Sequence, residues 1–198
     1  MSLIDELTQI VSAEVTQQTS QKTGLNQNVA AQMMPMAMAV LMNGLKKNAA
    51  TPHGAEALSN ALENHDGGLL DNLGSLSDDN VLADGQKILD HILGAKRGQA
   101  ETALAQAAGV KQDQIGSLLA MAAPAVLASL GKMKREQGLD ASSLAKLVAK
   151  EGAHAQTAAP NELGGLLQFL DADGDGDFKD DLLEGVGKSL LNSFFGKR

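Results

Sequence analysis

Apolar residues recur at helical spacing along most of the chain. Leu3, Leu7, Ile10, Val11 and Ala13 make one stripe near the start, and such spacing predicts an amphipathic helix. Gly24 and Gly109 interrupt two such patterns, and each is followed by a new one, so each is read as a helix stop. Thr51-Pro52 has the form of an N-cap followed by proline at the first helical position, opening "HGAEALSNALENH". "HDGGLLDNLGSLSDDN" (65–80) is rich in Gly and Asp and reads as a loop or short helix. "GAHAQTAAPNELGG" (152–165) reads as a linker. Pro35 and Pro124 each fall inside a strongly apolar segment. A mid-helix proline costs about 3 kcal/mol, so either packing overrides it or the helix breaks in two.

The pattern repeats. Sliding the chain by 85 positions places Leu3, Ile4, Asp5 and Leu7 on Ile88, Leu89, Asp90 and Ile92. The same shift places Met33, Met34, Met36, Leu41, Met42 and Leu45 on Leu118, Leu119, Met121, Val126, Leu127 and Leu130. One position more places Leu58 and Leu62 on Leu144 and Val148. The chain therefore divides into helical unit 1 (1–82), helical unit 2 (83–155) and a C-terminal module (156–198). Related units that each leave an apolar face open stack on one another.

Composition sharpens the fold class. Hydrophobic residues make up 43% of the 198, but Trp, Tyr and Cys are absent. The four phenylalanines, Phe169, Phe178, Phe194 and Phe195, all lie in the last thirty residues. Everything before them must build its core from Leu, Ile, Val, Met and Ala, with few strand-forming residues. The expectation is an all-α, multihelical bundle of two related units plus a short C-terminal calcium-loop and helix module.

A net charge of −8 and a pI near 4.9 argue against nucleic acid and anionic membranes as partners. The lack of Cys excludes disulfides and thiolate metal sites. "MSLIDELTQI" lacks the basic start of a signal peptide. The ten-residue apolar run Met33–Met42 is too short to span a bilayer. A cytoplasmic protein without a membrane span is expected.

The chemistry concentrates in "LDADGDGDFKDDLLEG" (170–185), with six aspartates in eleven positions. Asp171, Asp173 and Asp175 match positions 1, 3 and 5 of an EF-hand loop, and Gly176 supplies the turn at position 6. Asp177 would offer its backbone carbonyl. Ca²⁺ takes six to eight hard oxygens at about 2.3–2.6 Å, which alternating carboxylates on a tight turn can supply. The usual Glu at position 12 is replaced by Leu182, so the loop must close early, with Asp181 preferred over Asp180. The plainer reading is a solvated acidic turn at a helix N-terminus, where the dipole favours carboxylates. The D-x-D-x-D-G register favours Ca²⁺.

Other features are weaker. Ala105, Gly109 and Ile115 have the small–Gly–aliphatic register of a helix-turn-helix, in which Lys111, Gln112, Gln114 and Ser117 would face a DNA groove. An ordinary αα-hairpin explains the same residues, and a DNA-binding regulator stands as the alternative function. Five methionines between Met33 and Met42 suit an adaptable surface, though core packing is the simpler use. Both apolar segments hidden in one small protein is a demanding requirement, which points to a homo-oligomer or another protein partner. His53, His65, His91 and His154 are scattered, and no nucleophile stands beside a base. Nothing reads as an enzyme, and no small-molecule substrate is evident.

"TPHGAEALSNALENHDGGLLDNLG" and "GQKILDHILGAKRGQAETALAQAAGVKQDQIGSLLAMAAPAVLASLGK" together resemble the bacterial YidB-like family of unknown function. "DADGDGDFKDDL" resembles the acidic segment that often ends its members. The resemblance implies a multihelical, usually cytoplasmic bundle with no assigned reaction, and no catalytic residues. The function expected from the residues is a non-enzymatic calcium-binding assembly protein, self-associating through apolar helices while Ca²⁺ orders the C-terminal module.

Overall fold

A computed structural model describes residues 3–158 apart from Asp66, with side chains from Val11 to Ala155. Seven α-helices and no strand occur among the described residues. They are α1 (Leu3–Thr23), α2 (Gln27–Asn48), α3 (Pro52–Ala61), α4 (Asp79–Leu93), α5 (Arg97–Ala108), α6 (Gln112–Gln137) and α7 (Ala141–Ala158). A 3-10 segment, Gly68–Ser77, kinked at Asn72, precedes α4. The all-α expectation holds.

The local signals explain most of the ends. Gly24 and Gly109 sit at φ of 69° and 66°, a left-handed conformation that β-carbon-bearing residues adopt at a cost. α1 and α5 therefore stop where they do. Asn26 starts α2 by accepting from the backbone N–H groups of Asn28 and Val29. Thr51 does the same for α3 through Gly54, with Pro52 at the first position. α3 then ends at Ala61, short of His65. α4 begins at Asp79, a few residues ahead of the boundary read from the repeat.

Both proline-containing helices run unbroken through Pro35 and Pro124, so packing overrides propensity. α6 is the axis of the molecule. From Ile115 to Gly131 every side chain except Ser117 is buried. By length and composition α6 could cross a membrane, but 89% of its most apolar window is buried in this fold, as in the core helix of a globular protein. Around it pack α1, α4, α5 and the 3-10 segment, while α7 lies along α2.

Small residues let the axis be approached closely. A β-carbon on Gly85 of α4 would stand 1.9 Å from the Ala120 carbonyl oxygen, and one on Gly131 would stand 1.8 Å from the carbonyl of His65. The Ala120 carbonyl is the one that Pro124, lacking an N–H, cannot satisfy four residues on. Gly85 thus seats α4 directly against the α6 carbonyl that lacks its usual donor from position 124.

One hydrophobic cluster holds Met34, Leu41 and Leu45 of the first unit together with Leu119, Met121 and Leu144 of the second. Met33–Met42 is buried apart from the half-buried Pro35 and Met36. Among the described side chains, no Leu, Ile, Val or Met is exposed. A single chain therefore does hide both apolar segments.

Candidate functional site

Asp171, Asp173, Asp175, Asp177 and Asp181, the residues picked for Ca²⁺, lie outside the described residues, as do Asp180 and all four phenylalanines. Among the described residues no group of three or more His, Cys, Asp or Glu side chains is placed to hold a metal ion. The methionines of α2 mostly fill core, and the Met121 sulfur accepts a hydrogen bond from the buried Thr19 hydroxyl at 3.3 Å.

The helix-turn-helix residues form the corner between α5 and α6. Ala105 and Ile115 are buried, and the N–H of Val110 bonds back to the Ala105 carbonyl at 3.0 Å. Three of the four groove-reading candidates are engaged within the protein. The Gln114 amide donates to the Thr23 carbonyl at 3.1 Å, and the Ser117 hydroxyl to Asp113 at 2.9 Å. Gln112 donates to Glu101 at 3.2 Å. Lys111 is exposed, two positions from the exposed Asp113.

Beside that corner lies a polar cluster that sequence reading missed. Arg97, at the start of α5, donates through Nε to Glu101 at 2.8 Å and through one terminal nitrogen to Asp90 at 2.7 Å. The same nitrogen donates to the Gln86 carbonyl at 3.2 Å, and the other terminal nitrogen meets the Gln86 side-chain oxygen. Glu101 is 8% exposed, and a β-carbon on Gly116 of α6 would come within 3.3 Å of its carboxylate. Partial burial opposes the charge on Arg97, but the bonds to Glu101 and Asp90 outweigh it and hold its pKa above the ordinary value. The cluster binds α4, α5 and α6 together. The signal was present as Arg97 and Glu101, and Gln86 and Asp90, each four positions apart.

On α1 the buried face is partly polar, with Thr16, Gln18 and Thr19 beside Val11 and Val15. The Gln18 amide donates to Glu14 at 2.6 Å and to the Leu73 carbonyl at 2.8 Å. Its own oxygen is buried without a partner among the described residues. Of the histidines, His53 and His91 are exposed and His65 and His154 are half-buried. His91 meets the Lys87 carbonyl at 2.8 Å. These four stand on separate elements or turns.

A family model for bacterial proteins of unknown function, DUF937, matches residues 5–133. The chain belongs to that family. The DUF937 match takes in α1 to α5 and most of α6, including the "HDGGLLDNLG" and "ILDHILG" stretches on which the YidB-like resemblance rested. α7 and the aspartate-rich segment lie beyond it. No curated protein and no solved structure matches the chain.

Proposed function

We propose that this DUF937 protein is a non-enzymatic, calcium-binding interaction protein that self-associates in the cytoplasm. Ca²⁺ would be held by the carboxylates of Asp171, Asp173, Asp175 and Asp181 and by the backbone carbonyl of Asp177. The observation that carries this reading is the D-x-D-x-D-G register of 171–176, which alternates hard oxygen donors at the spacing the ion needs. Neutralising the aspartates removes their mutual repulsion and orders the residues that follow.

The contact element is the C-terminal module rather than the apolar helices. Met33–Met42 and Leu118–Leu130 are already largely occupied in one core, whereas the phenylalanines are all concentrated beyond residue 168. Aromatic side chains supply large contact areas at interfaces. A cytoplasmic role requires a dissociation constant in the sensor range of about 10⁻⁷–10⁻⁵ M.

Light scattering on size-exclusion eluates, in EGTA and then in millimolar Ca²⁺, tests the reading. Mass should rise with Ca²⁺ in the native chain, and Asp173→Ala with Asp175→Ala should abolish the rise. An unchanged mass in the native chain would sink calcium-dependent assembly.

A further inference from the structure

α2 and α6 bury faces that are almost wholly apolar, and α1 departs from that. Of its described side chains, Val11, Val15, Thr16, Gln18 and Thr19 are buried, and only the two valines are aliphatic. The repeat does not demand this polarity. In the 85-position register, Ala103 and Leu104 of the second unit stand where the first has Gln18 and Thr19. Leu104 is 1% exposed, so the second unit packs an apolar side chain at that position.

Burial leaves the polar groups of α1 poorly served. The Thr19 hydroxyl donates to the Met121 sulfur, a weak acceptor. Gln18 Oε1 and Ser12 Oγ are buried without a partner among the described residues. A buried polar atom left unpaired raises the free energy of the packed state, and it gains a partner when water reaches it.

The bonds that tie α1 to its neighbours are polar as well. The Gln18 amide donates to the Leu73 carbonyl at 2.8 Å. The Lys22 ammonium donates to the Ser77 carbonyl at 2.8 Å and to the Asp79 carboxylate at 2.7 Å. The Gln114 amide of α6 donates to the Thr23 carbonyl at 3.1 Å. Water replaces each of these at little net cost once the surfaces part.

We propose that α1 is a releasable cover, which lifts from α2, α6 and the 3-10 segment while the rest of the bundle stays folded. The turn 24–26 is the pivot. Gly24 there has φ of 69° and open space around it, and Leu25, 1% exposed, keeps the turn anchored in the core. Release uncovers the sides of α2 and α6 on which α1 packs, so their apolar surface becomes accessible without unfolding the axis of the molecule. The inference goes beyond the calcium-dependent assembly proposed above and does not rest on it. The open form is a minor state of the native chain, reached below the main unfolding transition.

Native-state hydrogen exchange on the unmodified full-length chain, in EGTA and over a series of sub-denaturing urea concentrations, tests the release. Amides of residues 15–22 should exchange about 10²-fold faster than those of residues 118–123 in α6. Their rate should rise only weakly with urea, because lifting one helix exposes little surface. Equal protection of the two helices, or the same urea slope in both, overturns the release. Thr19→Val tests its cause. The variant keeps nearly the same shape and removes the poorly served hydroxyl, so exchange in α1 should slow about fivefold. Unchanged or faster exchange in that variant overturns the polar seam as the reason α1 lifts.

Discussion

Two glycines at helix contacts and corners serve opposite purposes, and substitution should tell them apart. At Gly85 the backbone is helical and an added β-carbon would meet the Ala120 carbonyl at 1.9 Å. Neither partner is the movable end of a side chain, so α4 must shift away from α6. Gly85→Ala should cost about 3 kcal/mol, the upper end of overpacking effects. At Gly109 an added methyl meets nothing within 4 Å, but φ is 66°. Gly109→Ala should cost about 1–2 kcal/mol through backbone strain alone. Urea unfolding followed by circular dichroism gives both numbers, and equal losses would contradict this account. The Arg97 cluster makes a further residue-level prediction. Arg97→Ala leaves Glu101, 8% exposed, without its cation. The loss should be about 2–3 kcal/mol, below the figure for a fully buried pair because Arg97 retains some solvent. Adding Glu101→Gln to that variant should restore part of it, and a double-mutant cycle with no coupling would dismiss the pair as a stabilising unit.

At the scale of elements, one helix cap carries a pH dependence. Asp140 precedes α7, and its carboxylate accepts from the Ser143 backbone N–H at 2.7 Å. That bond, aided by the Ser143 side chain, holds its pKa below the ordinary 3.8. A depressed carboxylate contributes stability that is present above its unfolded value and lost as pH falls through its folded one. The benefit should therefore be full above about pH 4 and disappear at lower pH. Asp140→Ala should lower the melting temperature at neutral pH and leave it nearly unchanged well below pH 3, as a pair of calorimetric scans would reveal. Lys22 depresses the pKa of Asp79 similarly through a 2.7 Å ion pair at full exposure, where solvent screening leaves it little weight. Much of this level was legible beforehand. Glycine stops and the Thr51-Pro52 start are backbone chemistry, which acts over three or four residues and so shows in local sequence. The start of α4 was not legible, because Asp78, Asp79 and Asn80 favour turns and caps equally. The Arg97 cluster escaped because its meaning depends on α4, α5 and α6 converging, which no local window contains. The aspartates proposed for Ca²⁺ form a register in the sequence, and they lie outside the described residues.

At the scale of the whole molecule, the repeat and the core divide the chain differently. By sequence the units separate near residue 82, yet the most buried helix, α6, belongs to the second and packs on α1 of the first. α7, also of the second, lies along α2 of the first. Each unit taken alone would expose residues such as Met34, Leu41, Leu119 and Met121, now at most 1% exposed. Full burial of such side chains is worth about 1.5–3 kcal/mol each, and a small domain has only about 5–15 kcal/mol of net stability to lose. Neither half can forgo that many contacts and stay folded. Residues 1–158 should therefore unfold in one cooperative transition, with helical signal and hydrogen-exchange protection of α2 and α6 lost together. Fragments 1–77 and 78–158 should each show weak helicity alone and regain the helical spectrum when mixed, because the missing surface of each is the other. Two separated transitions, or one fragment folding by itself, would show that the units are domains in their own right and that the common core is only an interface between them.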